Sequence, residues 1–237
     1  MPDSIYLAMT AAEIQHADAL PPKLAYMACH FSSYGTGLSN FPTNLPEGSV
    51  LILNDRIPIC GHDENLIAQQ LVSLCETFSC PYILLDLQRE AQEYTPLITK
   101  LLEALPGKIA ISQLYAKPLP CPVFLQPLPV GYTLEKHIDP WKDRQLWLDI
   151  SCETAKITVT AEGSRQETLS YEAEADLPLH SDTLHCNYAI SVTTDCAEFT
   201  LSRTTDHLPR LIAEGKSLGI SHFVGLYQQL HTKTPRE

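Results

Sequence analysis

Short apolar runs alternate with helical patterns through most of this chain, and helices or long crossing segments connect them. LAYMACHFS (24–32), SVLILND (49–55), YILLDLQ (82–88), KIAISQLY (108–115), CPVFLQPLPV (121–130) and QLWLDIS (145–151) each read as a strand, the fifth irregular because of its prolines. Between them, DENLIAQQLVSLCETF (63–78) places Leu66, Ile67, Leu71, Leu74, Cys75 and Phe78 on one helical face, with Asp63 as N-cap. Tyr94, Leu97, Ile98, Leu101, Leu102 and Leu105 repeat at helical spacing until Pro106-Gly107 stops them. Strands connected in this way pair in parallel, because a tight turn can only return the chain antiparallel.

After residue 152 the pattern changes. Residues 152–204 are rich in Thr, Ser and Glu, and KITVTAEGSRQETLS alternates as a hairpin does, turning near Glu162-Gly163. NYAISVTT and AEFTLSR read as further strands. DHLPRLIAEGKSLG (206–219) returns to a helix ended by Gly219, and HFVGLYQQL (222–230) is expected as a closing strand. The fold expected is α/β: a small, irregular (β/α)-barrel of the TIM-barrel kind. It forms a single domain over 1–237, with 152–204 as a β-rich insertion or degenerate part. An open doubly wound parallel sheet is the alternative. The barrel is favoured by where polar residues fall. His30, Asn54, Asp55, Asp86, Gln113, Tyr115, Gln126, Asp149 and Tyr227 all lie at the C-terminal ends of apolar runs, the rim from which barrel sites are built.

Composition narrows the function. Hydrophobic residues make up 44% and charged residues 19%, enough for a sizeable core. With 16 Lys and Arg against 28 Asp and Glu, the formal charge is −12, which argues against nucleic acid and anionic membranes as partners. The first 20 residues lack the basic and apolar regions of a signal peptide, and no apolar run approaches the roughly 18 residues that span a bilayer. The eight cysteines are scattered without a CxxC, as expected for reduced thiols in a cytoplasmic protein. Cys29-His30, Cys60-x-His62 and His180…His185-Cys186 lack zinc spacing, so no metal is expected. No cofactor motif is present: the loop HFSSYGTGLSN (30–40) matches neither GxGxxG nor a P-loop.

One strand carries more chemistry than the others. If YILLDLQRE continues as a strand, Asp86, Gln88 and Glu90 share a face, and Leu85 and Leu87 share the other. Carboxyls gathered at a barrel mouth raise one another's proton affinity, which is how a general acid is made at neutral pH. Asp-x-Gln-x-Glu at the end of a core strand resembles the Asp-x-x-Asp-x-Asp-x-Glu motif of chitinase-like, family 18 glycoside hydrolases. The resemblance covers about eight residues. It makes Glu90 the acid that protonates the glycosidic oxygen and Asp86 the acidic position four before it. Gln88 stands where the family has the Asp that orients the substrate's acetamido group, Ile83 where it has its first Asp, and Arg89 where an aromatic residue is preferred. Gln88 can donate a hydrogen bond but cannot supply that Asp's negative charge, so the resemblance implies a diverged or inactive sugar-binding barrel.

The site expected from these residues has Asp86, Glu90 and Asp55 as catalytic candidates, with Asp55 either a base or half of an internal Asp–Arg pair. His30, Gln88, Gln113, Tyr115, Gln126 and Tyr227 are the ligand-binding candidates. Amide groups and a tyrosine ring suit a small polar molecule or a carbohydrate. The expected function is a carbohydrate-active or carbohydrate-binding barrel, with a non-catalytic scaffold or partner-binding protein as the alternative.

Overall fold

The structure is a computed structural model that describes residues 5–91, 94–169 and 177–231. Residues 170–176, within the block expected to be β-rich, lie outside the described residues. The chain divides into two compact units. One comprises Met1–Gln126, Asp143–Asp149 and Ser221–Tyr227; the other Pro127–Lys142, Ile150–Ile220 and Gln228–Glu237.

In chain order the elements begin β1 (Ile5–Met9), α1 (Ala11–His16), β2 (Leu24–Phe31), β3 (Leu38–Ser39), β4 (Val50–Asn54), α2 (Glu64–Thr77), β5 (Ile83–Asp86) and α3 (Tyr94–Ala104). Next come β6 (Ile109–Ser112), α4 (Gln113–Ala116), β7 (Val123–Leu125), α5 (Leu134–Ile138), a 3-10 turn at Asp139–Trp141 and β8 (Leu146–Ile150). The remainder are β9 (Glu153–Thr160), β10 (Gly163–Leu169), β11 (Leu179–Ser181), β12 (Cys186–Val192), β13 (Cys196–Arg203), α6 (Leu208–Ser217), β14 (Ile220–Leu226) and α7 (Tyr227–His231).

In the first unit the strands run β1-β14-β8-β7-β6-β5-β4-β2, and β1 pairs with β2, so the sheet closes into an eight-stranded parallel barrel. β3 hangs antiparallel on β2. The fold is therefore the TIM-barrel-like one expected, and not an open sheet. Alternation along each strand fills the interior. Tyr6 and Ala8, Ala25, Val50 and Ile52, Leu84, Ala110, Phe124, Trp147 and Val224 form one buried cluster drawn from all eight strands. Trp147 stacks on His222 at 4.1 Å and meets Tyr82 edge-on at 5.0 Å. Leu85, Leu87, Ile83 and Leu53 have the opposite parity and are also fully buried, since helices cover the outer face. Asp63 caps α2 as the sequence suggests, accepting from the backbone N–H groups of Asn65 and Leu66.

Several expected elements differ, among them these. The first barrel strand is β1, five buried residues within a stretch to which the sequence reading assigned no strand. The strands expected over 108–115 and 222–230 both stop early, and their polar ends become the helices α4 and α7. Gln113-Leu114-Tyr115-Ala116 contains no helix breaker, and nothing in its composition holds it extended once the ladder ends. Gln113, Tyr115 and Tyr227 are therefore helical residues rather than strand-end ones.

The second unit contains a five-stranded antiparallel sheet, ordered β10-β9-β13-β12-β11. The expected hairpin is present, with Thr160 opposite Gly163 and two residues between them. Gly163 takes φ 144, a conformation that side chains oppose. Val130, Ala155, Cys186 and Leu201 form this unit's core. Arg203 is buried beside it, and its guanidinium donates to the carbonyls of Leu128, His185 and Leu184, which offset its desolvation. All eight cysteines are unpaired with one another. No described helix is long and apolar enough to cross a membrane.

Candidate functional site

β4 and β5 deliver the polar groups of the barrel mouth. Asn54 ends β4 on the inner face, two residues beyond Ile52, and Asp86 ends β5 two residues beyond Leu84. Asn54 donates through its amide to the carbonyls of Met27 (2.9 Å) and Cys29 (3.3 Å), and its Oδ1 accepts the N–H of Arg56. It thus ties the end of β4 to a kink in β2, where the register shifts between Tyr26 and Cys29.

Asp55 points away from the interior row and is 4% exposed. One of its oxygens, Oδ2, accepts the backbone N–H groups of Gln88 (3.0 Å) and Arg89 (2.7 Å) and the hydroxyl of Tyr94 (3.3 Å). This overturns two expectations. Among the described residues Asp55 forms no ion pair with an arginine; backbone N–H groups and a hydroxyl donate to it instead. The segment after Asp86 also leaves the ladder, because Asp55 takes the N–H groups that a continued strand would offer to a neighbour. β5 ends at Asp86, so the alternation that would place Asp86, Gln88 and Glu90 on one face does not extend past it. Tyr115 completes the clasp: its hydroxyl donates to the Arg89 carbonyl at 2.5 Å and accepts the N–H of Ala91 at 2.9 Å. Its ring stands perpendicular to that of Tyr94.

Asp86 is half-buried. Its Oδ1 accepts from the side-chain amides of Gln88 (3.2 Å) and Gln126 (3.3 Å). Burial raises its proton affinity above the ordinary carboxylate range. The two amides oppose that rise, and the nearby charge of Asp55 adds to it. His30 sits on β2 with Nδ1 2.8 Å from its neighbour's carbonyl and Nε2 3.0 Å from the Asn40 amide. These partners assign the neutral tautomer, with Nδ1–H donating to Phe31 and Nε2 accepting.

A cavity of about 870 Å³ opens over this rim. Its walls include His30, Asp55, Asp86 and Gln88, and its floor Ile52, Phe124 and Val224. Gln113, Tyr115, Gln126, Tyr227 and Glu90 are not among its lining residues, although Gln126 reaches it through Asp86. Glu90 is exposed. Asp149, two residues beyond Trp147 on β8, lines the cavity, as do Thr10, Asn40, Arg56 and Arg89, none of which was among the candidates. Asp149 was legible from parity alone, whereas Thr10 and Asn40 were hidden by the unassigned β1 and by a loop after β2 whose path no sequence pattern gives. Among the described residues no group of three or more His, Cys, Asp or Glu gathers as metal ligands would.

No protein-family model matches the chain, and no curated protein sequence matches it. Solved structures do match. A chitinase from Chromobacterium violaceum aligns with a TM-score of 0.60 at 11% identity, over 98% of this chain and 95% of that one. The spore cortex-lytic enzyme SleL of Bacillus cereus gives 0.59 at 9%, over 94% and 70%. A chitinase-like agglutinin from Robinia pseudoacacia gives 0.57 at 9%, over 96% and 95%. At such identities the likeness is one of fold alone: the chain has a glycoside hydrolase-like barrel, a weak and distant resemblance.

Proposed function

We propose that this chain binds a carbohydrate at the C-terminal mouth of its barrel, and that Asp86 is the group placed to hand a proton to a glycosidic oxygen. The observation that carries the reading is Asp86 itself: a half-buried carboxyl, raised in proton affinity, with one oxygen held by two amides over an open cavity. Asp149 supplies a second carboxyl on the same cavity, as two-carboxyl glycoside hydrolysis needs. Amides and a neutral imidazole on the walls suit sugar hydroxyls, and the apolar floor suits a ring face. A chitinase and a cortex-lytic enzyme among the structural neighbours support a sugar as the class of ligand.

Binding without turnover is the second reading, favoured by one specific observation. Glu90, the acid that the motif would require, is exposed and away from the cavity. The agglutinin among the neighbours is consistent with a barrel of this shape that binds. A glycan array followed by a hydrolysis assay on each hit separates the readings. Turnover of a bound glycan, lost in Asp86→Asn with binding retained, supports the enzyme. Bound glycans that stay intact support the lectin-like role, and an array with no hits refutes both.

A further inference from the structure

The cavity is lined by two cations that, among the described residues, form no ion pair. Arg56 follows β4 and Arg89 follows β5, the third and fourth strands of the ring in chain order, and both line the cavity. The Arg89 guanidinium donates to the Arg56 carbonyl at 3.4 Å, so the two residues are neighbours. Their backbones are fixed. Asn54 Oδ1 holds the Arg56 N–H at 3.1 Å, Asp55 holds the Arg89 N–H, and Tyr115 holds the Arg89 carbonyl. Among the described residues, neither guanidinium lies in an ion pair with a carboxylate.

The carboxylates of the same cavity are accounted for differently. Asp55 is occupied by two backbone N–H groups and a tyrosine hydroxyl, and Asp86 by two amides. Asp149 is on β8, the seventh strand, opposite β4 in an eight-membered ring. Glu90, beside Arg89 in sequence, makes no ion pair with it. Two arginines on one cavity, with fixed backbones and, among the described residues, no ion pair to any of its carboxylates, leave guanidinium donors suited to an oxyanion.

We propose that the ligand of this cavity is an anionic saccharide, whose carboxylate or phosphate is received by Arg56 and Arg89. This rests on the carbohydrate reading above and narrows it to a substrate class. The sugar ring lies over the apolar floor, and its charged substituent projects toward the side of the mouth built by β4 and β5. Both arginines are exposed, so the contact forms in partly screened solvent and added salt weakens it.

The test uses the full chain and titration calorimetry with four probes: tetragalacturonate, its fully methyl-esterified form, glucose 6-phosphate and neutral chitotetraose. The esterified tetramer keeps the skeleton and loses the charge. The expected result is that tetragalacturonate or glucose 6-phosphate binds about tenfold or more tightly than the uncharged probes. Which of the two binds better distinguishes a carboxylate from a phosphate. In the double variant Arg56→Gln, Arg89→Gln that preference disappears, with the melting temperature little changed because the one side-chain bond lost is long and exposed. Equal binding of charged and uncharged probes, or a preference that survives the double variant, overturns the anionic class and leaves the carbohydrate reading standing. If no probe binds and an array of neutral and acidic glycans is also blank, the carbohydrate reading fails and this inference falls with it.

Discussion

One oxygen of Asp55 holds the backbone N–H of Arg89 at 2.7 Å, and this bond turns the end of β5 out of the barrel wall. The same oxygen takes the N–H of Gln88 and the Tyr94 hydroxyl. Asp55 was attractive as a base from sequence, but its bonding makes it a fastener of the loop that carries Gln88 and Arg89. Asp55→Ala leaves two N–H groups and a buried hydroxyl without their acceptor. Its expected cost is about 3 kcal/mol in urea unfolding. Asp55→Asn can keep a carbonyl oxygen at the same place, at neutral rather than ionic strength, and should cost about 1–2 kcal/mol. An alanine variant as stable as the parent would remove Asp55 from this structural role.

Asp86 presents the opposite case, a carboxylate that the fold tolerates at a cost. Its proton affinity is raised in the folded chain, chiefly by burial. The folded protein therefore holds the proton more tightly than the unfolded one. Its contribution to stability is fully present below the ordinary carboxyl value of 3.8 and is lost as pH rises through the raised one. Asp86→Asn removes that loss while keeping an oxygen for Gln88 and Gln126. The variant should melt higher than the parent at neutral pH, with the gap closing as pH falls toward 4. Any glycosidase activity should disappear with it. A neutral-pH melting temperature below the parent's would show that the charge is stabilised in place.

Gln126 tunes the same group. Its amide donates to Asp86 Oδ1 and pulls the proton affinity down against burial. Gln126→Leu removes that donor with little change in volume, so Asp86 should titrate at a higher pH than in the parent. Carboxyl carbon shifts followed by NMR across pH 3 to 8 read this directly. If the resonance of Asp86 titrates where it did before, the amide bond is not felt by the carboxyl.

How far the sequence revealed this can be traced residue by residue. The parallel barrel was legible because β4, β5, β6 and β8 are continuous apolar runs, and α2 and α3 carry clear helical periodicity. β1 was missed because five apolar residues near a chain end give too few repeats to show a period. His30, Asp55, Asp86 and Gln88 do share one cavity; for Asp86 this follows from parity at a strand end, a local property, whereas Asp55 and Gln88 lie just past the ends of β4 and β5. Glu90 and Tyr227 do not join it, because their placement depended on strands continuing. Where a strand ends is settled by a distant acceptor, here Asp55 for β5, and no local pattern records that. The nearness of Arg56 and Arg89 was not legible for the same reason: it exists only after Asp55 has turned the loop.

His180 and His207 in the second unit should titrate in opposite directions from their common starting value. His180 Nδ1 is 2.9 Å from Asn187 Oδ1, and its Nε2 is 3.0 Å from Asp182 Oδ1. Only the imidazolium has two N–H groups to satisfy both oxygens, so its pKa is raised above 6.5, first by Asn187 and then by Asp182, against a smaller opposing effect of Arg210. His207 stacks on it with ring centroids 5.5 Å apart. Its Nδ1 accepts the Thr204 N–H at 3.0 Å, which leaves Nε2–H to donate to the same Asn187 oxygen. Burial lowers its pKa, the charge of His180 lowers it further, Arg203 acts the same way and Asp206 opposes them. The linkage signs are therefore opposed. His180's contribution to stability is complete below pH 6.5 and lost as pH rises through its raised value. That of His207 is complete above pH 6.5 and lost as pH falls through its depressed value. The effect at His180 should be small, since that ring is largely exposed and screened. The ordering of the two titrations is the sharper observable. In a histidine-resolved NMR titration His180 should change above pH 6.5 and His207 below it. Asp182→Asn should bring the two midpoints closer together, by lowering the first and easing the electrostatic pressure on the second. Midpoints that coincide in the parent chain would mean the two rings do not share Asn187 as described.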